Sequence, residues 1–268
     1  MNHPIRIGAL ISGGGSNLEA VMNACDSGDI NGRIVFAGAD RAGGKGLKKA
    51  EKRSIPTFFV DYADIIRQYT VGPNPSNRQT PPDDFDLDDI ARKQSLIDPA
   101  DTRRLIAFLT TRAIAEAALL EKMSPYPFDL LILAGFMRNL TPYFIDRVNT
   151  TPGFPRIMNI HPALLPGFPG TDGYGDTFRH GCKVAGCTVH FIDYGEDSGP
   201  IIGQRCFPIE ENDTIESIRE KGLEQEWRLY PHCVRLFAEN RIKTVKMTHT
   251  HKTGEIHQRT IVKIADAP

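Results

Sequence analysis

The sequence predicts an α/β protein of three layers, a mostly parallel twisted sheet with helices on both faces and a Rossmann-like N-terminal half. Three observations carry this expectation. Short apolar runs alternate with segments of helical period as far as Val60, the pattern of right-handed βαβ units. Gly13, Gly14 and Gly15 join the first apolar run directly to the first helical segment. The run Asp129–Ala134 (DLLILA) reads as a central, fully buried strand.

In chain order, Ile5–Ile11 is short, apolar and ended by glycines, as a buried strand should be. Leu18, Val21 and Met22 give Asn17–Ala24 a helical spacing. Ile34–Ala37 is a second strand, Gly46–Arg53 a helix and Thr57–Val60 a third strand. The rhythm breaks at Val71–Asp101, where VGPNPSNRQTPPDDFDLDD predicts a long exposed insertion and Asp83–Asp89 a solvated acidic loop. Thr102–Lys122 returns to a helical pattern rich in Ala and Leu. Ile157–Ile160 is a short strand leading into Asn159-Ile160-His161-Pro162, and Cys187–Ile192 and Ile201–Phe207 are strands on the far side of the sheet. Thr214–Glu239 predicts one long amphipathic helix or a broken pair, with Trp227 and Phe237 in the core. After Arg241, two alternating runs around Lys252–Gly254 predict a terminal β-hairpin. The expected organisation is one domain over residues 1–243, with the insertion at about 71–101, and a hairpin tail over 244–268.

Composition narrows the function classes. The 268 residues carry 32 basic and 33 acidic side chains, a formal net charge of -1. That balance offers no basic excess for nucleic acid or a membrane surface, so neither is expected as a partner and a small anionic substrate stays open; it does not decide between a monomer and a homodimer. Five widely spaced cysteines without a CxxC pair predict reduced thiols in a cytoplasmic protein. His249, His251 and His257 alternate along the tail as surface residues do, and no metal site is expected.

Two segments point to chemistry. LISGGGSN follows a strand and opens a helix, where free backbone N–H groups beside Ser16 and Asn17 suit a phosphate. It is neither a P-loop nor GxGxxG, which favours one phosphate on a small substrate over a dinucleotide. Asn159 and His161 lie two residues apart on an extended segment and share a face, beyond the carboxyl end of a strand. An amide N–H can stabilise a developing oxyanion, and a histidine can supply or accept a proton. Asp197, in the glycine-flanked GEDSGPII loop, is placed to raise and orient such a histidine. With no GxSxG elbow, direct attack by a substrate nucleophile on a carbonyl fits better than an acyl-enzyme.

Together LISGGGSNLEA, LAGFMRNLTP, MNIHPALLPGFPG, CTVHFIDYGEDSGPII and QEWRLYP, in this order over about residues 5–242, resemble the phosphoribosylglycinamide formyltransferase family. The resemblance implies the formyltransferase fold. It also implies transfer of formyl from the cosubstrate 10-formyltetrahydrofolate to the amine of 5-phosphoribosylglycinamide. By position, Gly15, Ser16 and Asn17 would hold the phosphate, and Glu226 the glycinamide end. Met137, Arg138, Asn139 and Leu140 would line the folate pocket, with Asn159 and an arginine, for which Arg103 matches the local pattern and Arg104 and Arg112 compete. Asn159 would bind the formyl oxygen, His161 would donate the proton, and Asp197 would raise the pKa of His161. The chain departs from the family at TDGYGDTF (Thr171–Phe178), where some members carry histidines, and in the insertion and tail. The alternatives are a 10-formyltetrahydrofolate hydrolase, with water as nucleophile, and a non-catalytic nucleotide-binding module.

Overall fold

The protein, seen in a computed structural model, is described over residues 3–71, 80–251 and 253–266. A seven-stranded sheet runs in the order β3-β2-β1-β4-β5-β6-β7. Its strands are β1 (Ile5–Ile11), β2 (Gly32–Ala39), β3 (Thr57–Phe59), β4 (Leu130–Leu133), β5 (Ile157–His161), β6 (Val184–Phe191) and β7 (Ile201–Pro208). The first five pair in parallel, and β6 and β7 add antiparallel. The strand order reverses between β1 and β4, which opens a crevice at their carboxyl ends.

Strand periodicity decides which residues face which layer. Ile7, Ala9, Ile11, Leu130, Ile132, Met158 and Ile160 share one core with residues of α1 (Ser16–Asp26), α2 (Lys45–Glu51) and α8 (Ile215–Ala238). The alternate set, Leu10, Leu131, Leu133 and Ile157, packs in a second core with α3 (Tyr62–Val71), α5 (Thr102–Met123) and α6 (Pro142–Val148). Each fully buried Ile or Leu contributes roughly 1.5–3 kcal/mol, so the two faces fix the register of the sheet.

Several expectations change. The insertion is not simply an exposed loop. Its residues 72–79 lie outside the described residues, but α4 (Leu87–Lys93) buries Ile90 against α5. The acidic run supplies its cap, since Asp86 accepts from the Asp89 N–H at 3.0 Å, and Asp84 pairs with Arg147. The Thr171–Phe178 segment, where the chain departs from the family pattern, carries most of α7 (Gly173–Arg179). The α8 segment is one helix that continues through Pro231. Phe237 is buried as expected, whereas Trp227 is 42% exposed. The terminal hairpin forms its own two-stranded sheet of β8 (Ile242–Thr250) and β9 (Ile256–Ile264), with Ile242 and Val262 against the first core. Among the described residues, no helix is long and apolar enough to cross a membrane. All five cysteines are free thiols.

Candidate active site

A cavity of about 210 Å³ lies beyond the carboxyl ends of β4 and β5. Its wall includes Asn17, the segment from Met137 to Leu140, Asn159, His161, Asp197 and Glu226. These are residues from five distant parts of the chain, and the sheet reversal is what brings them together.

On β5, Asn159 and His161 occupy the same face, as a two-residue period requires. The turn after them is clamped by a largely buried network. Thr188 Oγ1 donates to the Ala163 carbonyl at 2.7 Å and accepts from the Leu165 N–H at 3.0 Å, and Gln204 donates to the Leu165 carbonyl at 2.9 Å. His161 is 3% exposed. Its Nε2 lies 2.8 Å from the Phe168 carbonyl and its Nδ1 3.2 Å from Asp197 Oδ2. Only an imidazolium donates to both at once. Burial pulls the His161 pKa below its ordinary value, while Asp197 and the Phe168 carbonyl pull the other way. Asp197 therefore acts in the expected direction, but burial outweighs it.

Asp197 has a positive φ of 49°, which turns its carboxylate back over β5 and β6. The Gly170 N–H donates to its Oδ2 at 2.8 Å. Burial alone would raise its pKa, but the charge of His161 and the Gly170 N–H help to hold it below the ordinary carboxylate value.

His190 was not singled out from the sequence. It is fully buried on β6, directly across the antiparallel pair from Asn159. The tautomer protonated on Nδ1 donates to the Phe191 carbonyl at 2.9 Å and leaves Nε2 to accept from Asn159 Nδ2 at 3.1 Å. One amide hydrogen of Asn159 is thus anchored, and its second remains for a ligand. The alternation in CTVHFID puts His190 on the face opposite Cys187, Val189 and Phe191, but its burial and its partner follow from the β5–β6 register, which the sequence does not display.

The opposite wall is the segment 137–140. Met137 N–H donates to Ser12 Oγ at 2.8 Å, Arg138 pairs with buried Asp40 at 2.6 Å, and Asn139 donates to Glu196 at 3.2 Å. Leu140 is buried, and Met137 is 56% exposed. Behind them, Glu116 on α5 accepts from the Thr141 N–H at 2.8 Å and hydroxyl at 2.5 Å. Complete burial pushes the Glu116 carboxyl up to about 8.

The glycine loop caps α1. Gly15 has φ 66°, and a Cβ there would stand 2.5 Å from the Gly46 Cα, so both conformation and space demand glycine. Gly15 and Ser16 lie at the helix start, outside the cavity wall, and the first-turn N–H groups there have no intrahelical acceptor. The Asn17 side chain turns inward instead, donating to Glu226 Oε2 at 2.6 Å. Arg103 is exposed on the first turn of α5 and does not line the cavity. Arg104 is exposed as well. Arg112, two and a half turns further along α5, is buried, with its guanidinium 5.4 Å from the Tyr62 ring centroid that Arg138 also approaches at 5.5 Å. None of the three lines the cavity, and Arg112 is the one brought near Arg138 of the 137–140 segment, across the Tyr62 ring. Among the described residues, no group of three or more His, Cys, Asp or Glu is disposed to hold a metal ion.

The formyl transferase family matches residues 5–234. The phosphoribosylglycinamide formyltransferase of Mycobacterium tuberculosis is 32% identical over 92% of this chain and 91% of its own length. The trifunctional purine biosynthetic protein adenosine-3 of Chironomus tentans is 32% identical over 89% of this chain, which spans 14% of that longer protein. Among solved structures, glycinamide ribonucleotide transformylase 1 from Symbiobacterium toebii superposes with a TM-score of 0.69 at 34% identity, covering 99% of this chain and 96% of that one. The chain belongs to the formyl transferase family and groups with its phosphoribosylglycinamide formyltransferases.

Proposed function

We propose that the protein transfers a formyl group from 10-formyltetrahydrofolate to the amine of 5-phosphoribosylglycinamide in purine biosynthesis. The observation that carries this reading is the convergence of Asn159, His161 and Asp197 on one cavity wall, facing segment 137–140 and flanked by Glu226.

The substrate amine attacks the formyl carbon, a C–N bond forms, and the carbonyl electron pair moves onto oxygen. The free N–H of Asn159 donates to that oxyanion, and His161, once protonated, stabilises it by charge, its two N–H groups being held by Phe168 and Asp197. Collapse re-forms the carbonyl and breaks the bond to the folate nitrogen, which takes up a proton as the attacking amine loses one. Asp197 supports the charge on His161 and serves as the nearby base for the proton in transit. Segment 137–140 and Asn159 hold the folate, with Arg112 favoured over Arg103 as the assisting arginine. The N–H groups at Gly15, Ser16 and Asn17 receive the phosphate, and Glu226 receives the glycinamide end. No step needs a metal-bound nucleophile, because the amine is itself the nucleophile.

The test is release of tetrahydrofolate from 10-formyltetrahydrofolate with and without the ribonucleotide. Release that depends on the ribonucleotide is expected. Equal release without it would mean hydrolysis, and none in either case would mean a binding module.

A further inference from the structure

Tyr174 lies on α7, in the Thr171–Phe178 segment where the chain departs from the family pattern. Its hydroxyl donates to Glu226 Oε1 at 2.8 Å, while Asn17 donates to Oε2. The three side chains come from α7, α8 and α1, and each is at least nine-tenths buried. Glu226 makes no ion pair with a basic side chain of the described residues, so two neutral donors carry the whole burden of holding its charge. Beside it, Asn17 Oδ1 is buried with no hydrogen-bond partner. Both Glu226 and Asn17 line the cavity. An acceptor pair with no cation of its own is matched to a ligand that brings N–H donors or positive charge.

We propose that Tyr174 is a positioning residue for the acceptor. By fixing one oxygen of Glu226, it sets the carboxylate and the unpartnered Asn17 Oδ1 as a pair that receives the amine-bearing end of the ribonucleotide. This rests on the role given to Glu226 above. The tyrosine is held independently of Glu226. Its ring packs with Ala185, Phe207 and Ile218, and it fills the space left by the missing Cβ of Gly222, where an added Cβ would stand 2.1 Å from the ring Cζ. A glycine inside α8 costs helix stability, and here it makes room for the phenol.

The groups facing Glu226 are Asn17 from α1, Tyr174 from α7 and the Cys187 thiol from β6. Burial raises the tyrosine and pushes the thiol up to about 12, so neither ionises near neutral pH. Burial also raises Glu226, and the bonds from Asn17 and Tyr174 oppose that rise. Losing the phenol hydroxyl therefore moves ionisation of Glu226 to higher pH.

The experiment is steady-state kinetics of the full chain and of Tyr174→Phe, with each substrate varied separately across pH, and folding checked by melting. A hydrogen bond to a charged group sets the scale, so KM for the ribonucleotide should rise about tenfold in Tyr174→Phe. KM for the folate should hold, and the acid limb of kcat/KM for the ribonucleotide should move upward. Gly222→Ala, which displaces the ring without removing the hydroxyl, should shift the same KM in the same direction. A folded Tyr174→Phe with unchanged ribonucleotide KM and acid limb would overturn the proposal, as would equal losses for both substrates. Should Tyr174→Phe not fold, an unchanged ribonucleotide KM in Gly222→Ala would overturn it. Absence of ribonucleotide-dependent turnover in the wild-type protein would overturn the functional reading as well, which separates the two failures.

Discussion

Asp197 and Glu116 are two carboxylates taken out of water on either side of the cavity, and their surroundings treat them in opposite ways. Asp197 keeps 12% of its side chain exposed and has His161, His190 and the Gly170 N–H around it. Those partners outweigh burial, and its pKa stays below the ordinary carboxylate value. Glu116 is completely buried, its hydrogen bonds come from the Thr141 backbone and hydroxyl, and burial wins. The contrast separates two jobs. A carboxylate beside two imidazoles can handle a proton, while one sealed behind segment 137–140 ties α5 to the loop it supports.

The comparison breaks most visibly at the reacting wall. Asn159→Ala and His161→Ala should each lower kcat by on the order of a hundredfold or more while leaving the fold intact, as measured by single-turnover formyl transfer and thermal melts. Near-normal turnover in His161→Ala would remove the proposed mechanism. Asp197→Asn is expected to cost about a hundredfold and to alter the pH profile. Asp197 raises the His161 pKa, so its removal lets burial depress that pKa further. The limb of the profile that requires protonated His161 should then move to lower pH.

On the other side, Glu116→Gln should leave kcat within about a factor of three, because no reacting atom touches it, yet change how stability responds to pH. A carboxyl raised from 4.5 to about 8 in the folded state gives stability that is fully present below the unfolded pKa. That stability is lost as pH rises through the window between the two values. Melting temperatures of Glu116→Gln should therefore fall less than those of the wild type across that window. The smallest effect is expected for Arg103→Ala, whose folate KM should match the wild type, while Arg112→Ala raises it. The reverse ranking would restore Arg103 to the site.

What the sequence displays and what it hides follow from the same physics. Ile5–Ile11 and Asp129–Ala134 are legible because strands buried on both faces must be apolar throughout. Asn159 and His161 are legible because a strand end projects alternate residues to one side. His190 and Tyr174 are not, since their partners Asn159 and Glu226 lie 31 and 52 residues away and meet them only through register and packing. The α4 helix hides in a Pro- and Asp-rich stretch, where Asp86 reads as loop but serves as a cap and Ile90 is the buried residue that holds it. Glu116, in mid-helix, has the sequence signature of a surface residue, and the contact with Thr141 that buries it is tertiary. Arg103 matched a local pattern, whereas proximity to segment 137–140 belongs to Arg112, on the inward face of α5.

Isotope-edited infrared spectroscopy of the two carboxyls near pH 6, with Asp197→Asn and Glu116→Gln to assign the bands, tests the contrast most directly. A protonated carbonyl band that disappears in Glu116→Gln, together with an ionised carboxylate band that disappears in Asp197→Asn, is the predicted result. A protonated Asp197 at that pH, or an ionised Glu116, would contradict the account.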